Sequence, residues 1–273
     1  MSTKTKNKKP RVLLFQRKYL CIPYAVFLVL FVIFPILIIL VYAFTDENMV
    51  PSFNALVSFF TNPNKLQVLL VSIFIALQTT LICLLIGYPL AYFLADKQIN
   101  KNAVLVTLFI APMWINFVLR TWATRDLLSW MGLSGGNYPY LATLIGMVQN
   151  YLPFVILPLY TTMIKLDKSQ IEAARDLGAN PVQCFFKSIL PQSVPGIVSA
   201  CLMTFMPTMS SYVISDIFSE GKITILGSFI NLEFTNSLWH DGSFMAFIML
   251  VIIGISMFLT RNVQKEDARG NAL

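Results

Sequence analysis

Charge is what this sequence has least of. Only 12% of its 273 residues are Asp, Glu, Lys or Arg, and there is one histidine, His240. A single histidine excludes a paired-histidine zinc motif and any histidine cluster. No GxxxxGK[ST] stretch occurs, and the Gly221–Lys222 pair lacks the preceding glycine, so a Walker nucleotide loop is excluded. Cys21, Cys83, Cys184 and Cys201 show no metal or redox spacing and read as small apolar packing residues. No small-residue cleavage pattern follows the first apolar run, so the N-terminus reads as a retained span, not a removed signal. With no catalytic constellation left, no enzyme activity is expected of this polypeptide alone.

What is there instead is apolar length. Hydrophobic residues make up 56% of the chain, too many for a soluble domain of this size. They fall in blocks near the ~20 residues that a bilayer demands of a helix. The blocks 19–44, 66–95, 103–119, 141–164, 192–215 and 243–260 predict an all-α membrane protein of six transmembrane helices, and none contains Lys, Arg, Asp, Glu or His. Carriers driven by protons or sodium keep ionisable groups at membrane depth, so this chain takes its energy from elsewhere. Sixteen of the 20 basic residues lie in the tails, 1–18 and 261–273, and in segments 96–102 and 165–191; four (Lys65, Arg120, Arg125, Lys222) lie opposite. That asymmetry predicts both termini inside. The net charge of +7 then reflects attraction to anionic lipid and calls for no nucleic acid. Residues 45–65 form an exterior loop with an interfacial helix around 53–60. Gln78, Thr79, Thr80 and Gly87 in the second span read as helix-packing positions.

One cytoplasmic stretch is more elaborate than a turn needs to be: Ile171 to Gly196, IEAARDLGANPVQCFFKSILPQSVPG. Glu172, Ala173, Ala174 and Leu177 sit on a helix that Gly178 can end in the left-handed conformation. Asn180 before Pro181 fits an N-cap with proline in the first turn. The second helix is expected to run through Phe185 and Phe186 until Pro191 and Pro195 interrupt or bend it.

The spacing EAA, three residues, Gly, and a later Leu-Pro resembles the coupling loop of bacterial ABC importer permeases. Glu172, Ala173, Ala174, Gly178, Leu190 and Pro191 carry the match, and Ser188 departs from it, standing where the family usually has isoleucine. The segments RTWATRDLL (120–128), YVISD (212–216), GKITILG (221–227) and LWHDGS (238–243) resemble those of permeases of the spermidine/putrescine type. The resemblance implies the type I importer permease architecture in a bacterial cytoplasmic membrane. It implies as partners a second, similar permease, two copies of a cytoplasmic ATPase and an extracytoplasmic binding protein. ATP and Mg would sit on the ATPase, with no cofactor on this chain.

The exterior side carries seven acids (Asp46, Glu47, Asp126, Asp216, Glu220, Glu233, Asp241) against the four bases, which favours a cationic ligand by steering. Asp216 and Asp241 lie nearest helix ends, and Tyr212, Trp114, Trp122 and Trp239 offer faces for a cation. These residues mark a candidate substrate path, and the resemblance implies that its substrate is a polyamine such as spermidine or putrescine. The alternatives are an importer for another solute (thiamine, ferric iron or an anion), a secondary carrier or channel, and a membrane scaffold.

Overall fold

The computed structural model describes residues 21–96 and 104–270, with side chains as far as Arg261. The basic 1–18 tail and most of the 96–102 turn lie outside the described residues. Eleven helices are used below: α1 (Cys21–Ala43), α2 (Asn54–Thr61), α3 (Pro63–Ala95), α4 (Val104–Ile110), α5 (Phe117–Trp130), α6 (Pro139–Met163), α7 (Lys168–Asp176), α8 (Pro181–Ser210), α9 (Tyr212–Ser219), α10 (Leu226–Thr235) and α11 (Trp239–Gly270). Five are long and apolar enough to cross a membrane, and the bent α4–α5 pair makes up to six.

The centre of the fold is α3, α6 and α8, which pack on one another along their lengths. Lipid is as apolar as leucine, so association of such helices depends on close backbone approach. Small residues supply it. A Cβ on Gly87 would lie 2.9 Å from Val155 Cγ1, and one on Gly196 would lie 2.6 Å from Thr162 Oγ1. Ala91, Ala142 and Ala200 are buried in the same cluster, Ala76 lies in a second cluster with Met209 and Phe244, and Thr79 and Thr80 are buried on α3. Of α1, only Ala43 is buried; its lower turns pack on α11, and the rest presents apolar side chains outward. At 33 residues α3 is roughly 50 Å long, more than the ~30 Å hydrocarbon core, and so must tilt or protrude.

Two expectations from the sequence are corrected and a third is narrowed. The third block, 103–119, is not one helix. It winds through α4 and a tight turn at Ala111–Trp114, breaks at Ile115–Asn116, and resumes as α5 at an angle of 96°. Asn116 starts the new helix by accepting hydrogen bonds from Val118 N (2.9 Å) and Leu119 N (3.3 Å). Arg120 ties the break, donating to the Pro112 carbonyl and to buried Asn150 Oδ1, both at 2.6 Å. The fifth block ends at Ser210, not 215. Ser211 turns its hydroxyl back to the Pro207 carbonyl (2.9 Å), and α9 begins afresh.

The third concerns Pro191 and Pro195, for which interruption and bending were both open: they do not interrupt their helix, and α8 runs for 30 residues. A proline ring clashes with the carbonyl four residues back, here Lys187. That residue lies in a wide π turn, Phe185–Ile189, where the Leu190 N–H reaches the Phe185 carbonyl. The same solution recurs in α1, whose π turn Val29–Ile33 holds Phe31, four residues before Pro35.

Candidate functional site

Two regions at opposite ends of α8 carry the candidate residues. At its first turn lies the loop built by α7 and the start of α8. Asp167 caps α7, accepting from Ser169 N at 3.0 Å, and the hydrogen bonds from Ser169 hold its carboxyl below the usual carboxylate range. The α7 C-terminus closes in a Schellman turn: Gly178 N donates to the Arg175 carbonyl (2.9 Å) and Ala179 N to the Ala174 carbonyl (3.1 Å). Gly178 has φ +80°, and a Cβ there would meet nothing within 4 Å. Asn180 and Gln183 then form a reciprocal capping box, with bonds of 2.8 and 3.1 Å.

Buried Cys184 lies beneath this turn, and Asp167 N donates to Gln192 Oε1 (2.9 Å), so α7 is fastened to α8. Glu172 and Ala173 are exposed, as is Pro191, while Ala174 and Leu190 are half-buried. Glu172 has no ion pair among the described residues. Ser188, the departure from the family pattern, is buried and accepts a long hydrogen bond from Gln192 Nε2 (3.4 Å). Three large apolar residues stand out here, of which the sequence placed Leu177 and Phe186 on helices without a role and did not single out Val182: Leu177 is 89% exposed, Val182 63% and Phe186 59%. Their signal was an apolar side chain within a polar loop.

At the far end of α8, the expected path residues separate. Asp216 and Trp122 share a shallow cleft of about 450 Å³ with Arg125, Ile217 and Glu220. Asp216 Oδ1 accepts from Ser228 Oγ at 2.9 Å. Arg125 Nη2 lies 3.1 Å from Glu220 Oε1, and its guanidinium stands 5.5 Å from the centre of the Trp122 ring. A spacing of three along α5 brings Trp122 and Arg125 together, a relation readable from sequence. That Glu220 joins them from α9 was not.

Asp241 belongs to a different groove, about 530 Å³, with Tyr42, Asp46, Glu47, Trp239 and His240. Its carboxylate is engaged by the buried Lys65 ammonium at 2.9 Å, which also donates to Ser58 Oγ (2.9 Å). Glu233 lies close by, buried, with Oε2 unpartnered among the described residues. Burial first, and then Asp241, push its carboxyl up, against the opposing pull of Lys65. Trp114, 80% exposed at the α4–α5 break, and Tyr212, 40% exposed, line neither groove.

Scanned against protein-family models, the chain has no match. It is 34% identical over 253 residues to the spermidine/putrescine transport system permease protein PotB of Escherichia coli (strain K12), covering 85% of this chain and 92% of that one. The PotB of Haemophilus influenzae is 33% identical over 258 residues, covering 87% and 90%. Among solved structures, a chain of the bacterial alginate ABC transporter, in complex with an alginate pentasaccharide-bound periplasmic protein, superposes with a TM-score of 0.67. It shares 14% identity, over 91% of this chain and 95% of that one. The fold is therefore that of an ABC importer permease, and identity over most of its length shows that the chain belongs to the PotB family of spermidine/putrescine transport system permease proteins.

Proposed function

We propose that this chain forms half of the path of an ATP-driven polyamine importer, with both termini and the α7–α8 loop cytoplasmic. The observation that carries the substrate class is the identity to PotB proteins over most of both chains. Fold alone does not decide it, since a neighbour of the same fold is seen with an acidic sugar's binding protein. The cleft of Asp216, Glu220 and Trp122 supports a cation, because it pairs carboxylates with an aromatic face.

In this reading, an ATPase groove receives α7, with Glu172, Ala173, Ala174 and Gly178 on the docking side. Leu177, Val182 and Phe186 supply the apolar contact that their exposure leaves unmet within the chain. Leu190 and Pro191 begin the shaft. At 30 residues α8 is about 45 Å of unbroken helix, so closure of two ATPase copies on nucleotide arrives at Ser210 as a rigid displacement. There the Ser211 hydroxyl pairs with Tyr151 of α6, and α9 carries Asp216. Asp241, Tyr212 and Trp114 are path residues left for a second permease or for the substrate-loaded binding protein to meet.

The test is reconstitution with the second permease, the ATPase and the binding protein. Spermidine or putrescine should stimulate ATP hydrolysis. Asp216→Asn, which keeps an acceptor for Ser228, should lower uptake about fivefold, the ~1 kcal/mol of one exposed charge contact. Stimulation by another solute and not by polyamines would overturn the substrate class.

A further inference from the structure

The cleft at the far end of α8 already holds a cation, and it is the chain's own. The Arg125 guanidinium rests on a carboxylate, Glu220, and beside an indole, Trp122. Those are the two kinds of group that an alkylammonium ion seeks. Glu220 is held in place against its backbone preference. It caps α9 at φ +53°, left-handed, where glycine would sit without strain, and Gly221 immediately follows. Gly135 and Gly136 press on it from the other side: their Cβ atoms would lie 3.1 Å from Glu220 Cγ and 3.3 Å from Glu220 Oε2. The loop thus leaves room for this side chain and little else.

We infer that Arg125 is a tethered stand-in for an incoming ammonium group, and that a polyamine enters this cleft by exchange with it. One ammonium takes Glu220 and the Trp122 face while a second pairs with Asp216. The displaced guanidinium keeps a partner throughout, because Asp126 Oδ1 is 3.2 Å from its other nitrogen. Release is cheap, since Arg125 and Glu220 are each about one-third exposed and solvent screens the pair. Arg125 therefore sets the threshold for entry, and Asp216 supplies the discrimination. A monoamine must also displace it, yet has no second charge for Asp216, so the exchange favours ligands with two or more ammonium groups. This rests on the polyamine reading above.

The assembled importer, without its binding protein, is titrated in lipid nanodiscs with radiolabelled putrescine and butylamine. Arg125→Gln vacates the subsite. Putrescine and butylamine should each bind about fivefold tighter with their ratio unchanged, because both meet the same competitor, whereas Asp216→Asn should shrink the ratio by removing the partner of the second ammonium. Arg125→Lys retains a tethered cation and should restore both affinities toward wild type. Glu220→Gln should weaken putrescine and abolish the gain from Arg125→Gln in the double variant. Unchanged or weaker putrescine binding in Arg125→Gln, or no amine binding by either protein, overturns the exchange. Uptake with the binding protein, measured alongside, separates the two ideas. Polyamine uptake without these binding shifts refutes the exchange alone, whereas no polyamine uptake at all refutes the substrate class beneath it.

Discussion

Substitution at Gly178 tests where force enters the permease. The residue sits at φ +80° in a turn that satisfies two carbonyls of α7, those of Ala174 and Arg175. A non-glycine residue there costs about 1–2 kcal/mol in backbone strain. Against a fold of ~5–15 kcal/mol, that does not prevent insertion. Concentrated on one turn, however, the same cost lowers its correct population by about fivefold or more. Nothing within the chain lies within 4 Å of an added Cβ, so no internal clash confuses the result. Gly178→Ala should therefore insert normally and transport about fivefold more slowly. Gly178→Asn tolerates the left-handed region and should recover much of the turn, leaving only its bulk to disturb an ATPase groove. Gly178→Asp has nearly the same shape with a charge added, and should lose both ATPase co-purification and uptake. Three quantities are measured for each variant: permease in the membrane, ATPase retained on purification, and polyamine uptake. Normal uptake by Gly178→Asp would refute coupling through this loop, and loss of the inserted protein itself would make the turn a folding element only.

Glu172→Lys reverses an exposed charge with no ion pair among the described residues, so thermal stability should hold while ATPase co-purification falls. Glu233 has its carboxyl raised above the ordinary 4.5 by burial and Asp241. Its protonated form is the one the fold favours, so its contribution is full below about 4.5 and is lost as pH rises through the raised value. The melting temperature of the purified complex should accordingly fall from pH 5 toward pH 8, and Glu233→Gln should flatten that slope; an unchanged slope would remove Glu233 as its source. For orientation, a reporter fused after residue 170 should read as cytoplasmic and one after residue 225 as exterior, and the reverse pattern would undo the coupling argument as well.

Composition by itself determined that this chain lives in a membrane as helices. Blocks of apolar residues of bilayer length leave the backbone no other way to satisfy its hydrogen bonds. Local chemistry determined the turn at 178–183, because a glycine C-cap and an Asn-Pro N-cap act within a few residues of each other. The tertiary structure alone decided the rest. Whether Pro191 breaks a helix depends on whether a π turn opens one turn earlier, and that turn, with Ser188 and Ile189 buried in it, is visible only in the folded chain. The third block could not be known to bend, because its break is held by Arg120 reaching Asn150, 30 residues away on another helix. Seven acids counted in sequence are one sum; in space Asp241 is engaged by Lys65, and Glu220 holds Arg125. Which carboxylates face a ligand is a matter of which cation arrives first, and only the folded chain brings those cations within reach.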